Sequence, residues 1–407
     1  MTKNIFRTSY AACAIAATAM ICGNTIHAQC PPMPFDPQAA TMISEKGNLM
    51  THCPSMYITD DGEAWIGYYC DRTQQKEDSN MTSIETRLVH FPVDSWQNPD
   101  IRRLDFMKCG QKVGGYTQQG RAAYDPALQQ VGDKLKVVFI GCEGGEPEVV
   151  CRSVNLKSGN LENKVQHCTL SYPGPDGRKV KVALNRSGVV RCFADLGITD
   201  APTQLHQIDV DKKFTRYGEW FYTAIFCWCC PESRPLVVRT KDCISYEYVF
   251  HCPEFQYGST EATIAILDDE FYIQCRTARV EKSRRGTYIG KYSATGECLV
   301  KPWRIGITES RPELVTKDGK VYAIYNTSPD VKYPDGKKKV NRSHVRISRI
   351  DKFAQPRNGW DITSGNSIQY YCVAQHEGRS YIVFIEDRDH MANGARKGNA
   401  SICELML

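Results

Sequence analysis

One pattern recurs along the chain: a short apolar strand, a polar turn and a second apolar strand. The regular copies are "SMYITDDGEAWIGYYC", "PALQQVGDKLKVVFIGC", "ATIAILDDEFYIQCR", "PELVTKDGKVYAIYN" and "CVAQHEGRSYIVFIED". Two less regular ones are "VKVALNRSGVVRCFADL" and "EWFYTAIFCWCCPESRPLVVRT". Asp-Gly, Gly-Asp and Glu-Gly pairs at the turns supply the positive-φ residues that tight hairpins need. The copies lie roughly 40 to 70 residues apart, the spacing of propeller blades with insertions, and make about seven units.

These units predict an all-β fold, a β-propeller of seven blades, with six as the alternative. Long helical periodicity is absent. The last strand, "ASICELML", is expected to close the ring by pairing within the first or last blade and so remove an open edge. Two stacked sandwiches would need a linker, and the sequence shows none, so residues 29–407 read as a single propeller domain. The run "VKYPDGKKKVNR" (331–342) reads as a solvated loop between strands.

The first 28 residues read as a secretory signal peptide: a basic start (Lys3, Arg7), an apolar stretch from Tyr10 to Cys22, and a cleavage point near Ala28-Gln29. The apolar run is too short for a good membrane span, and no later stretch could cross a bilayer. Cys30 raises a lipid anchor as the minor alternative. The expected location is the periplasm of a bacterium. Export permits disulfides, yet many of the 19 cysteines replace small apolar residues within strands, as Cys70, Cys142 and Cys275 do. Cys227, Cys229 and Cys230 lack the paired C-x2-C spacing of structural zinc, so no metal and no cofactor is expected. A net charge of +5, evenly spread, gives no nucleic-acid signature.

"RTKDCISYEYV" resembles a decayed Asp-box of the sialidase-type propellers. "STEATIAILDDEFYIQCR" is similar to their strand that carries a Glu and ends in an Arg, and "SIQYYCVAQHEGRSYIVFIED" resembles their segment with the nucleophilic Tyr. The resemblance makes Glu261, Arg276, Arg311 and Tyr370 inherited-looking positions. An Arg-Ile-Pro motif in the first blade, a well-formed S-x-D-x-G-x-x-W box and an acid/base Asp on an early loop are missing. Length, a seven-bladed ring and a histidine near the mature N-terminus resemble more closely the exported α-L-rhamnosidases that cleave L-rhamnose α-1,4-linked to D-glucuronate on arabinogalactan. In that family the histidine is the key catalytic residue, and His52 is the position matched to it.

Read from the residues, His52 precedes Cys53-Pro54 at a strand end, and its imidazole titrates near neutral pH, as an acid/base for glycoside cleavage must. The substrate's own carboxylate could supply the second such group. Arg121, Arg276 and Arg311 lie at strand boundaries and suit bidentate carboxylate binding. His206 leads into a strand beside Trp220 and Tyr222, which could stack on a sugar, and Tyr370 could serve as a sugar platform. The expected ligand is an acidic plant or algal oligosaccharide bound by a monomer. A uronate-specific lyase, with His206, Tyr222 and Arg276 in the working roles, a sialidase-like hydrolase and a catalytically dead glycan-binding propeller are the competing readings.

Overall fold

The computed structural model describes residues 33–45, 50–71, 84–119, 124–198, 207–228, 233–256, 258–277, 281–306, 311–327, 331–332, 338–339, 344–363, 367–390 and 396–407. The signal segment, Cys30, Arg121, His206, Cys229 and Cys230 lie outside the described residues, as does most of 331–342.

Sheets, antiparallel but for one parallel pair in the third, follow one another around an axis. Sheet I comprises Met50–Ile58, Glu63–Asp71, Ile84–Pro92 and Arg102–Lys108. Sheet II comprises Tyr124–Val131, Lys134–Glu143, Glu146–Asn155 and Leu161–His167. In sheet III the meander Gln207–Val210, Trp220–Trp228, Leu236–Thr240 and Ser245–His251 is joined by Thr215–Tyr217 and by the hairpin Thr169–Pro173 and Lys179–Ala183. Sheet IV comprises Ser259–Leu267, Glu270–Thr277, Thr287–Ser293 and Cys298–Gly306; sheet V comprises Glu313–Lys317, Lys320–Asn326, His344–Ile350 and Pro356–Thr363. Sheet VI is Ser367–His376, Arg379–His390 and Arg396–Leu405, with Thr41–Met42 at its outer edge.

The first strand of each sheet lies innermost, and bonds between neighbours stitch the ring. Leu128 bridges Lys213. The Thr215 hydroxyl donates to the Ile264 carbonyl at 2.7 Å, the Gln375 amide to the Thr316 carbonyl at 3.2 Å, and the Met56 N–H to Cys372 Sγ at 3.3 Å. Apolar faces fill the gaps between sheets: Tyr222, Phe250, Phe271 and Tyr292 between III and IV, and Tyr272, Ile289, Leu314 and Ala323 between IV and V. The ring is therefore a β-propeller.

Seven regular blades are not what closes it. Among the described residues there are five four-stranded sheets, the enlarged seven-stranded sheet III and two small two-stranded sheets. The sequence unit "VKVALNRSGVVRCFADL" is not a blade: Lys179–Ala183 adds to the edge of sheet III, and Arg186–Asp195 is an α-helix. Asn185 caps that helix by accepting from the Gly188 N–H at 2.8 Å, and Val189, Cys192 and Phe193 bury its inner face. A single short amphipathic helix between strands leaves too weak a period to be read against a strong β background.

The turn chemistry holds as expected. The inner hairpins of sheets IV, V and VI turn on Asp268-Asp269, Asp318-Gly319 and Glu377-Gly378, all with positive φ, the backbone that two-residue primed turns require. The degenerate Asp-box forms a capped turn in which Asp242 Oδ1 accepts from the N–H groups of Ile244 (2.8 Å) and Ser245 (2.7 Å). Closure also follows the expectation, with one addition: the N-terminal strand Thr41–Met42 completes sheet VI by pairing with Ser401 and Ile402.

Candidate active site

Four innermost strands carry a bulge near their N-terminal ends. Register slips between His52 and Ser55, Tyr124 and Ala127, Thr260 and Thr263, and Gln369 and Cys372. Within these bulges Cys53, Asp125, Glu261 and Tyr370 have φ of 44°, 50°, 49° and 56°. Such backbone costs a non-glycine residue on the order of 1–3 kcal/mol, so four copies at one end of a ring mark a site. Cys53 and Asp125 each precede a proline, which disfavours helical backbone still further.

The bulges bring these side chains to the axis. His52 Nδ1 lies 2.6 Å from the Tyr69 hydroxyl and 3.1 Å from Cys53 Sγ, and the Tyr370 ring packs on the imidazole at 4.0 Å between centroids. Glu261 and Arg276 form a buried pair: Nη2 donates to Oε1 at 2.8 Å, and Nε lies 2.6 Å from Oε2. Arg311, 1% exposed, spans two sheets. Its Nη2 donates to the Val210 carbonyl at 3.0 Å, and its Nη1 is 3.5 Å from Asp125 Oδ1. Its Nε and Nη1 make no hydrogen bond.

Burial and neighbouring charge set the protonation here. Burial pushes the Cys53 thiol well up, and the Asp125 and Glu261 carboxylates add to that, so Cys53 stays neutral rather than acting as a thiolate nucleophile. Burial also pushes Asp209 well above the usual carboxylate range, reinforced by the charge of Asp125 and a hydrogen bond to it, against the pull of Arg311 and the Val210 N–H. Burial opposes the Arg311 charge, but neighbouring carboxylates, Asp125 first, more than offset it and keep the guanidinium charged.

Below this layer the axis is plugged by ions. Lys212 Nζ lies 2.8 Å from Glu313 Oε2 and donates to the Pro312 carbonyl at 2.6 Å, while Lys213 pairs with Glu313 as well. Beyond the plug the opposite mouth opens as a cavity of about 1040 Å³, lined by residues such as Asp60, Gln130, Arg216, Thr316 and Glu377. Away from the axis, Glu143, Glu148 and His167 are the one group of metal-ligand type among the described residues. His167 Nδ1 lies 2.7 Å from Glu148, and its Nε2 is 3.6 Å from Glu143, so the three side chains contact one another.

Of the residues singled out in the sequence, His52, Arg276, Arg311 and Tyr370 therefore converge. Trp220 and Tyr222 do not join them. Asp209 pairs with Phe226, whereas Trp220 sits six residues earlier on that strand, about 20 Å along it. Trp220 stacks under Arg239 at 4.2 Å, and Tyr222 is packed 5.2 Å from Phe271 in the apolar layer between sheets. Asp209, Asp211 and Tyr69 gave no signal as site residues. The "IDVD" run was legible only as a strand, and a Tyr within "GYYC" has many structural uses. Asp125-Pro126, repeating Cys53-Pro54 at a strand start, was the available clue.

No protein-family model matches this chain, and neither does any curated protein. Among solved structures, a Dyadobacter fermentans protein of unknown function is similar with a TM-score of 0.58 and 11% identity over 90% of this chain and 98% of its own. The phage phi92 endosialidase is similar at 0.57 and 10%, over 90% of this chain and 69% of its own. A Trypanosoma rangeli sialidase is similar at 0.53 and 10%, over 88% of this chain; the match spans about half of that protein (54%). Likeness at this identity establishes the propeller fold.

Proposed function

We propose that the protein is an exported glycoside hydrolase acting on an acidic glycan, with the bulged end of the ring as its site. The observation that carries this reading is Arg311: a buried guanidinium in the axial cluster with two nitrogens that make no hydrogen bond. A sugar carboxylate is a fitting partner for such a guanidinium, since arginine is the side chain best suited to carboxylate binding. Arg276, held by Glu261, adds a second cation beside it. The sialidase names borne by several solved propellers of this shape point the same way.

In this reading His52 is the acid/base. Tyr69 fixes Nδ1, and Tyr370 fixes the plane of the ring. The imidazole gives a proton to the leaving-group oxygen as the C–O bond breaks and recovers one from the attacking water. The finer substrate we propose is L-rhamnose α-1,4-linked to D-glucuronate, whose uronate would lie against Arg311. Support for it comes from the placement of His52 and from the two guanidiniums, not from the number of sheets.

A second reading has its own observation. Glu261, Arg276, Arg311 and Tyr370 meet at one axial site, which fits a sialidase-like hydrolysis with Tyr370 as nucleophile. Incubation with arabinogalactan side chains and with sialosides, followed by sugar analysis, tests both. Free rhamnose supports the first reading and free sialic acid the second. An unsaturated uronate would replace both with a lyase, and binding without product would leave a glycan-binding propeller.

A further inference from the structure

On sheet II three side chains of metal-ligand type rise from one face. Glu143 closes the second strand, Glu148 lies near the start of the third, and His167 closes the fourth. Register brings them together. Glu143 lies opposite Glu146, which shares a face with Glu148 two residues on, and Val150, on that same face, lies opposite His167. In the bulge of the first strand Tyr124 pairs with Ile140, so the group stands at the bulged end of the ring, on its outer strands.

Each of the three offers a donor atom, and these atoms lie within 4.8 Å of one another. Glu148 Oε2 holds His167 Nδ1 at 2.7 Å, while Nε2 of the same ring lies 3.6 Å from Glu143 Oε2. The other Glu143 oxygen, Oε1, accepts from the Thr117 N–H at 2.8 Å. The Tyr116 ring, 5.8 Å from the imidazole between centroids, packs beside it. Both side chains that flank the 3.6 Å gap are therefore anchored through a different atom from the one that faces it.

We propose that Glu143 Oε2 and His167 Nε2 bind a zinc-type divalent cation between them, with Glu148 as the positioning residue that holds the imidazole by Nδ1. Donors on one tetrahedral zinc ion, at about 2.0–2.2 Å from it, stand roughly 3.3–3.6 Å apart, and the gap has that width. A carboxylate on the far nitrogen of a ligating imidazole fixes its tautomer and makes the ring a better ligand. Nitrogen together with carboxylate oxygen suits zinc and its neighbouring transition ions, whereas calcium and magnesium take oxygen ligands. His167 is exposed, so water reaches the ion and fills its other coordination positions. This site is independent of the reaction proposed for the axial residues.

The test is calorimetric titration of the untagged, chelator-treated protein with zinc chloride, with calcium chloride as the oxygen-preferring comparison. About one zinc ion per chain should bind at this site, and calcium much more weakly. Because the chain is rich in cysteine, cobalt supplies a second readout: ligation by nitrogen and oxygen gives weak visible bands without thiolate-to-metal charge transfer. Glu143→Gln, which keeps an acceptor for Thr117, and His167→Ala should each abolish the binding. Glu148→Gln should weaken it about 10–100-fold, the usual effect of losing such a partner. Melting temperatures without metal check that the variants are folded, and zinc should raise the melting temperature of the parent but not of Glu143→Gln or His167→Ala. Zinc binding that survives in both of those variants would overturn the proposal. So would a cobalt spectrum dominated by thiolate bands, a preference for calcium, or a parent protein that takes up no zinc.

Discussion

The hydroxyl of Tyr69 and Nδ1 of His52 lie 2.6 Å apart, and both residues sit on adjacent strands of sheet I. The contact fixes the orientation of the imidazole through Nδ1. His52→Ala should lower kcat by about 10²–10⁴, the usual worth of a general acid or base. Tyr69→Phe should lower it about tenfold, in keeping with one hydrogen bond, and displace the imidazole limb of the pH–rate profile. Unchanged profiles in both variants would remove His52 from the reaction.

Glu261→Gln should destabilise the protein by about 3–5 kcal/mol, because it removes the carboxylate paired with the buried Arg276 guanidinium. The exposed pair Lys241–Glu219, also at 2.8 Å, provides the comparison: its removal should cost under about 1 kcal/mol, since water and salt screen it. Urea denaturation of the two variants decides whether burial or distance governs these pairs.

Asp211 gives the fold a pH dependence of known sign. Burial is the main cause that pushes its carboxyl up to about 6, against the pull of Lys212 and Arg311. The native state therefore binds more protons than the unfolded chain between about pH 4 and 6. Stability from this group is full below that window and is lost as pH rises through it, by roughly 2–3 kcal/mol. Asp211→Asn should abolish that loss. The stability difference between variant and parent should thus grow in the variant's favour from pH 4 to pH 7, as read by denaturant midpoints.

Closure of the ring depends on a short N-terminal segment. Phe35, 2% exposed, packs 5.7 Å from Phe384, and the Ile43 N–H donates to the Ala400 carbonyl at 2.9 Å. Phe35→Ala should cost about 3–5 kcal/mol through the cavity it leaves. Removal of residues 33–44 should lower the melting temperature further and promote aggregation, because the edge of Arg396–Leu405 would then be unpaired. Thermal scans with light scattering read both effects.

The strands and turns were legible because their signals are local. Alternation of apolar residues marks a strand, and Asp-Gly or Glu-Gly between two strands marks a hairpin whatever surrounds it. The number of sheets was less legible. "VKVALNRSGVVRCFADL" has the apolar content of a blade, but its strand joins the edge of sheet III and its remainder is helical. His52, Arg276, Arg311 and Tyr370 stood out as polar residues at strand ends. Trp220 and Tyr222 stood out for the same reason, yet lie toward the other end of their sheet.

The amino-acid sequence by itself determined the β class, the hairpins and the polar strand ends, since each depends on residues within a few positions of one another. Only the tertiary structure decided which of those ends meet. Asp125 and Arg311, or His52 and Tyr370, are brought together by ring closure and by bulges that turn one residue out of each ladder. Contacts between residues so far apart along the chain arise from how sheets pack, and no local pattern encodes them.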